Sequence, residues 1–342
     1  MTPAAVPSSR RRRTYAAGGL ALAAAAILGV TVGPVRISAW TALTELADRL
    51  LPWEISSGLS DQEAAIVWHL RAPRVVLGAM VGAMLAAAGG AYQGVFRNPL
   101  ADPYLLGVAA GAGLGATAAL AAGLGAGVVP VAAFVGAVLA VAATYHFARA
   151  AGGRRTPATL ILAGVAIGSF LTALQTFLQQ QSSDRIREVF TWILGRLSGA
   201  TWPQVTAVLP YVAVSLVTLV VYRRILDVLS VGEEEAATLG VRPARARMVI
   251  IGAATLGSAA VVSVSGLIGF VGIVVPHAIR LVAGPSYRRI LPLSMLVGAA
   301  FLLAADLLAR TIISPGELPI GVVTAFVGAP FFAMILRRRV VR

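Results

Sequence analysis

Ten apolar runs, each about 15 to 24 residues long and bounded by polar or Pro/Gly-containing breaks, leave this 342-residue chain few ways to fold. They lie near residues 15–33, 75–95, 105–124, 128–148, 158–180, 204–222, 248–267, 269–283, 290–311 and 320–336. About 20 apolar residues in a helix cross the ~30 Å hydrocarbon core of a bilayer. Lipid offers no partner for backbone N–H and C=O, so such runs must be helices. Hydrophobic residues make up 58% of the chain and charged ones 12%, against about 25% charged in soluble domains. A soluble fold of this size has no interior large enough for that much apolar surface. Gly and Ala crowd many of the runs, which lets helices approach closely in lipid. The expected class is an all-α, polytopic membrane protein with about ten transmembrane helices.

The boundary between the seventh and eighth runs is the least marked. Hydropathy alone allows residues 248–283 to form one long kinked helix, because the break at SGLIGFVG is slight. Arg242, Arg245 and Arg247 precede the stretch and Arg288 and Arg289 follow it, so both ends belong on the same side. Two crossings satisfy that requirement and one does not. Every basic residue is arginine. With ten spans and a cytoplasmic N-terminus, twenty arginines and five acids fall inside, and eight arginines and nine acids fall outside; the resulting +15 and −1 recover the net +14. The basic balance is therefore a signal of topology and not a nucleic-acid footprint.

The Arg10 to Arg13 run precedes an apolar stretch of about 19 residues, longer than the ~7 to 15 of a signal peptide's apolar region. It reads as a first, retained helix. The chain divides into a basic cytoplasmic N-terminus (1–14), one transmembrane domain (15–337) with an inner loop at about 223–247, and a cytoplasmic tail (338–342). No cysteine is present, which excludes disulfides and thiolate chemistry. With no lysine, the chain cannot supply a P-loop, so any ATP-driven work needs a separate subunit. His69, His146 and His277 lie in distant segments without HExxH spacing. Neither a catalytic set nor a metal site is expected.

The stretch from Arg71 to Gly107, RAPRVVLGAMVGAMLAAAGGAYQGVFRNPLADPYLLG, places two arginines at one end of an apolar span and a compact polar turn at the other. It resembles the FecCD-type permease subunits of ABC importers for iron-siderophore, heme and vitamin B12, which carry RLPR, an apolar helix and then QxxFRNPLADPxLLG. Further similar blocks follow in order: LILAGVAIGSF at 160–170, TWILGRLSGATW at 191–202, GEEEAATLGV at 232–241, SGLIGFVGIVVPHAIRLVAGPSYRRILP at 265–292 and ADLLARTIISPGELPIGVVTAFVGAPFF at 305–332. Coverage runs from about residue 60 to 337. The resemblance implies a BtuC-like permease fold in the bacterial cytoplasmic membrane with both termini inside. It also implies three partners besides membrane lipid: an ATP-binding cassette ATPase holding ATP and Mg, an extracytoplasmic substrate-binding protein, and a second permease copy, identical or related.

The resemblance assigns roles to three groups of residues. Arg71, Arg74 and Arg310, at the outer mouth, correspond to arginines that dock acidic residues of the binding protein; guanidinium groups grip carboxylates bidentately. The competing reading is that they snorkel to headgroups or pair with Asp306 and Glu317. On the inner loop, Gly232, Glu233, Glu234, Ala236 and Gly240 fit a short coupling helix, seated in a cleft of the ATPase, that ends at a glycine stop. A solvated charged loop is the alternative. Asn98 and Leu100, with Thr156, lie in inner turns that narrow the pathway and are gate candidates; Pro99 alone also suffices to end the span at Asn98. Gln175, Gln179, Gln180 and Gln181 make the fifth span polar toward its outer end, as a wet wall or a helix cap would.

The function implied is inward movement of an iron(III)-siderophore complex by alternating access, with heme and vitamin B12 as alternatives. A proton-coupled secondary transporter would carry buried acids within its spans, and Asp306 is the one clear candidate. A membrane enzyme has no convergent His or carboxylate set to support it.

Overall fold

The computed structural model describes residues 8–52, 57–150, 157–181, 183–314 and 316–340. The described residues form α1 (Ser8–Thr31), α2 (Ala39–Leu50), α3 (Asp61–Ala65), α4 (Ala72–Val95), α5 (Val108–Ala121), α6 (Val128–Ala150) and α7 (Pro157–Gln181). There follow α8 (Ile186–Ile193), α9 (Trp202–Val231), α10 (Glu233–Thr238), α11 (Pro243–Ser265), α12 (Val271–Ala283), α13 (Tyr287–Thr311) and α14 (Ile320–Val340). Seven helices are long and apolar enough to cross a membrane, and three shorter apolar helices, Val108–Ala121, Val271–Ala283 and Ile320–Met334, complete the set of ten expected from the sequence.

Helix α4 is the hub, buried nearly all round and packed against α1, α9, α11, α12 and α13. Its sequence explains why. Gly78, Gly82, Ala86, Gly90 and Gly94 recur every fourth residue and leave a stripe with nothing larger than one methyl group. At Gly82 an added Cβ would run into the backbone carbonyl of Gly298 on α13, and at Gly89 into that of Gly272 on α12. Buried polar groups on this hub have partners, as a lipid-embedded core requires. Tyr92 shares a 2.9 Å hydrogen bond with Thr255 of α11, and Gln93 Nε2 donates to the Gly272 carbonyl at 3.3 Å.

Span boundaries shift in instructive places. The second span begins well before residue 75: α3, a π turn at Ile66–Arg71 and α4 run on as one 35-residue helix, Asp61–Val95. A capping box between Ser60 and Glu63 starts it. Helix α1 starts at Ser8, so the Arg10 to Arg13 run lies on helical turns, and α14 continues to Val340, past the expected tail boundary.

The seventh and eighth runs are two helices. Gly266, in the left-handed region at φ +70°, ends α11, and its Cα approaches the Trp192 carbonyl too closely for a Cβ. Phe270 at φ +68° precedes α12. With 13 residues, α12 is about 20 Å long and falls short of a full crossing. Helix α5, with 14 residues after a 3₁₀ turn at Pro103–Leu106, is similarly short. The two irregular approaches meet inside the bundle, where Tyr104 Oη donates to the Ile268 carbonyl at 3.0 Å and accepts from the Ile268 N–H at 3.2 Å. Non-helical backbone at this depth is tolerated because protein supplies its partners.

Candidate functional site

Two groups of charge lie at opposite ends of the helices. At the end expected outside, Arg71 and Arg74 are one turn apart on the same helix, and Arg310 and Asp306 are one turn apart on α13. The fold brings all four together. Arg74 makes a fork with Asp306, its Nη2 donating to Oδ1 at 2.8 Å and its Nε to both carboxylate oxygens at 3.0 Å. Its Nη1 and Nη2 also donate to Glu317 at 2.8 and 3.1 Å. Arg310 Nη2 donates to the Gly29 carbonyl at 2.7 Å, while its Nε stands 3.8 Å from Asp306 and makes no hydrogen bond. Arg71 donates to the carbonyls of Val30 and Thr31 at 2.8 Å each and to that of Val35.

Arg71 and Arg310 thus cap the C-terminal end of α1, where unpaired carbonyls and the negative end of the helix dipole favour a cation. Both are buried. Of the three arginines expected to dock a partner, Arg74 reaches solvent most, with 11% of its side chain exposed, and its partner Glu317 is 37% exposed. Arg74 and Arg310 thus have carboxylate neighbours within the chain, the contacts that the competing reading of the sequence names. Carbonyl capping by Arg71 needed the position of α1, which no local pattern carries.

A cavity of about 670 Å³ is lined by residues of α4, α5, α6, α8, α9 and α11. Its lining combines apolar Leu77, Trp192 and Leu197 with polar Arg187, Arg196 and Gln204. Gln175, read from the sequence as part of a wet wall or a helix cap, is buried against α5, where it fills the space beside Gly113. Gln180 and Gln181 do face outward, beside Thr176 and Phe177.

At the arginine-rich end the expected short helix is present as α10. Gly232 precedes it in extended backbone, and Gly240 at φ +77° terminates it. Ala236 is fully buried where α10 rests on α9 and α11, and a Val241 N–H to Ala236 carbonyl bond closes the turn. Glu234, Glu235 and Leu239 stand in the open, Leu239 with 70% of its surface exposed. The helix backbone at Glu233 continues this element.

The turn that follows α4 holds Asn98 and Leu100. Asn98 Oδ1 accepts from the Leu100 N–H at 3.0 Å, an Asx turn, and Arg97 sits at φ +51°. Leu100 is 42% exposed. Thr156, the third gate candidate, lies outside the described residues. Two residues missed from the sequence tie this turn to the bundle. Gln93 accepts from Arg280 Nη2 at 3.1 Å while its backbone carbonyl accepts from Asn98 N–H at 3.2 Å. Arg280 also donates to Tyr287 Oη at 3.0 Å, and Asp227 accepts from the Ser286 hydroxyl at 2.9 Å and the Tyr287 N–H. An amide inside an apolar run, as at Gln93, was the available signal. His277, beside Pro276 in α12, is buried as packing would require.

The model of the FecCD transport family matches residues 21–338. The cobalamin import system permease protein BtuC of Halobacterium salinarum is 42% identical over 98% of both chains. The hemin transport system permease protein HmuU of Yersinia pestis is 39% identical over 80% of this chain and 85% of its own. Among solved structures, an inward-facing conformation assigned to a metal-chelate type ABC transporter superposes with a TM-score of 0.84 at 27% identity, covering 96% of this chain and 99% of the other.

Proposed function

The chain belongs to the FecCD transport family and is a multi-pass ABC importer permease, and from that premise we propose that it carries an intact metal chelate inward across a bacterial cytoplasmic membrane. ATP hydrolysis, with its Mg, belongs to a separate cassette subunit. The observation that carries this reading is α10, a short helix held by buried Ala236 on α9 and α11 while Glu234 and Leu239 stand in the open at the arginine-rich end. A rigidly seated, outward-facing helix of that kind passes on a push from a partner. Gly232 and Gly240 set its two ends, and Glu233 continues its first turn.

A two-lobed binding protein would deliver the chelate at the opposite mouth. Arg74, the most exposed of the three arginines, is the member best placed to meet its carboxylates, with Arg71 and Arg310 holding α1 in place behind it. Asn98 and Leu100, with Thr156, would narrow the exit on the arginine-rich side. A second permease copy would complete the pathway between them.

Cobalamin, heme and an iron(III)-siderophore complex all fit this reading. What supports testing cobalamin first is that the cobalamin permease relative matches end to end, whereas the hemin relative leaves a fifth of this chain unmatched. The test is uptake into vesicles holding the purified permease, a P-loop ATPase and the binding protein encoded beside it, offered each labelled chelate in turn. ATP-dependent accumulation of one of the three is expected. Accumulation by the permease alone, without a companion hydrolase, overturns the proposal.

A further inference from the structure

Helices α6 and α11 line an open groove of about 350 Å³. Its walls come from two strips in helical register. Val138, Val141, Ala142 and Tyr145 lie on α6, and Met248, Ile251, Gly252, Thr255 and Leu256 lie on α11. Each strip follows i, i+3, i+4, i+7 spacing, so each is one continuous helix face. The strips run in opposite directions and converge on the same end of the molecule, the end of Ala150 and Pro243.

One further turn along each strip places an arginine. Arg149 is four residues beyond Tyr145 on α6, and Arg245 is three residues before Met248 on α11; both are exposed. A buried third, Arg247, lies within electrostatic reach of Tyr145. From Val138 to Arg149 the helix rises about 16 Å, close to the ~15 Å depth of one leaflet's hydrocarbon. The apolar walls therefore occupy one leaflet, and the arginines stand at its headgroup level. Tyr145 sits between the two, as an interfacial ring does.

We propose that this groove is a binding site for one anionic phospholipid of the arginine-rich leaflet, its acyl chain between α6 and α11 and its phosphate on Arg149 and Arg245. Basic pockets between transmembrane helices on the cytoplasmic side select such headgroups. The charge argues for an anionic lipid over a zwitterionic one, and the length of the groove argues for a lipid over free phosphate. A lipid wedged here would hold α11, which α10 and its loop adjoin, against α6. The inference rests on the membrane placement of the two helices and is independent of which chelate is carried.

The chain suits a direct test. At Gly252 an added Cβ meets nothing within 4 Å, so Gly252→Leu starts its side chain in open space within the groove and favours the helix. The intact importer, in nanodiscs of phosphatidylcholine with a minor share of phosphatidylglycerol, is released from the disc and its retained lipids are identified by native mass spectrometry. The wild-type complex is expected to retain phosphatidylglycerol above its share. Retention should fall about fivefold for Arg149→Gln or Arg245→Gln and about 25-fold for the pair. Gly252→Leu should lose it with an unchanged melting temperature. Unchanged retention in all variants, or equal retention of phosphatidylcholine, overturns the proposal. So does cross-linking of a Gly252→Cys variant, unique in a chain without cysteine, to a second permease copy across this face.

Discussion

The two mouths of this permease handle charge in opposite ways. At the Arg74 mouth, three guanidinium groups are drawn into the bundle and spent on one another's neighbours: two carboxylates and the carbonyls that end α1. At the α10 mouth, Arg247 is buried and Arg280 is paired with Gln93 and Tyr287, but Glu234, Glu235, Arg242 and Arg245 are exposed, and the contact that seats α10 itself is a methyl group, Ala236. Buried, paired charge fixes helices relative to each other, because removing one partner strands the other. Exposed charge on a seated helix leaves the fold unaffected and is free to meet a partner. One mouth is thus built as a clamp and the other as a handle.

The largest expected effect separates them. Deleting residues 233–239 should abolish transport and the stimulation of ATP hydrolysis by the binding protein, while the purified permease melts near the wild-type temperature. Stimulation that survives the deletion would remove α10 from the coupling path. The clamp should respond in the reverse sense. Asp306→Ala leaves Arg74 and Arg310 without their shared carboxylate and is expected to cost about 3–5 kcal/mol of stability, read as a lower melting temperature and poor recovery from the membrane. Glu234→Ala should stay within about 0.5 kcal/mol of wild type. Equal losses in the two variants would mean that the handle is structural too.

A smaller effect sharpens the handle itself. Leu239, 70% exposed at the end of α10, is the apolar residue that the proposed coupling role would seat against the ATPase. Leu239→Ala should weaken assembly with that subunit by about tenfold, or about 1.4 kcal/mol, measured by titration of the detergent-solubilised permease. No change would shift the contact to the flanking turns.

Much of this contrast is legible in the sequence, and the illegible part has a physical cause. GEEEAATLG names α10 because acids, helix formers and a glycine stop are local signals. The break at SGLIGFVG is legible through charge, since arginines on both sides demand an even number of crossings. Its depth is not: α5 and α12 are too short to cross alone, and only the meeting of Tyr104 with Ile268 shows the irregular backbone being satisfied inside the bundle. Helices α2 and α8 are short and amphipathic, so neither leaves a long apolar run in the sequence. The capping box at Ser60 and Glu63 was readable as S-x-x-E and would have extended the second span. Arg71 is the opposite case. Its partners are carbonyls about 40 residues away, and carbonyls have no sequence identity, so no pattern could have named them.

The finest test asks where the clamp stops. Glu317 holds the solvent side of Arg74 and is itself 37% exposed, so its bond is a surface pair worth less than about 1 kcal/mol. Glu317→Gln should leave the melting temperature almost unchanged, because Asp306 still holds Arg74 from within. It also leaves the outer edge of the guanidinium without a competing carboxylate. If a carboxylate of the binding protein docks there, its affinity should rise about threefold, roughly 0.7 kcal/mol, and fall more steeply with salt. A loss of affinity would instead make Glu317 the docking group. A melting temperature lowered as far as that of Asp306→Ala would extend the clamp to the surface and leave no arginine of the three for a partner.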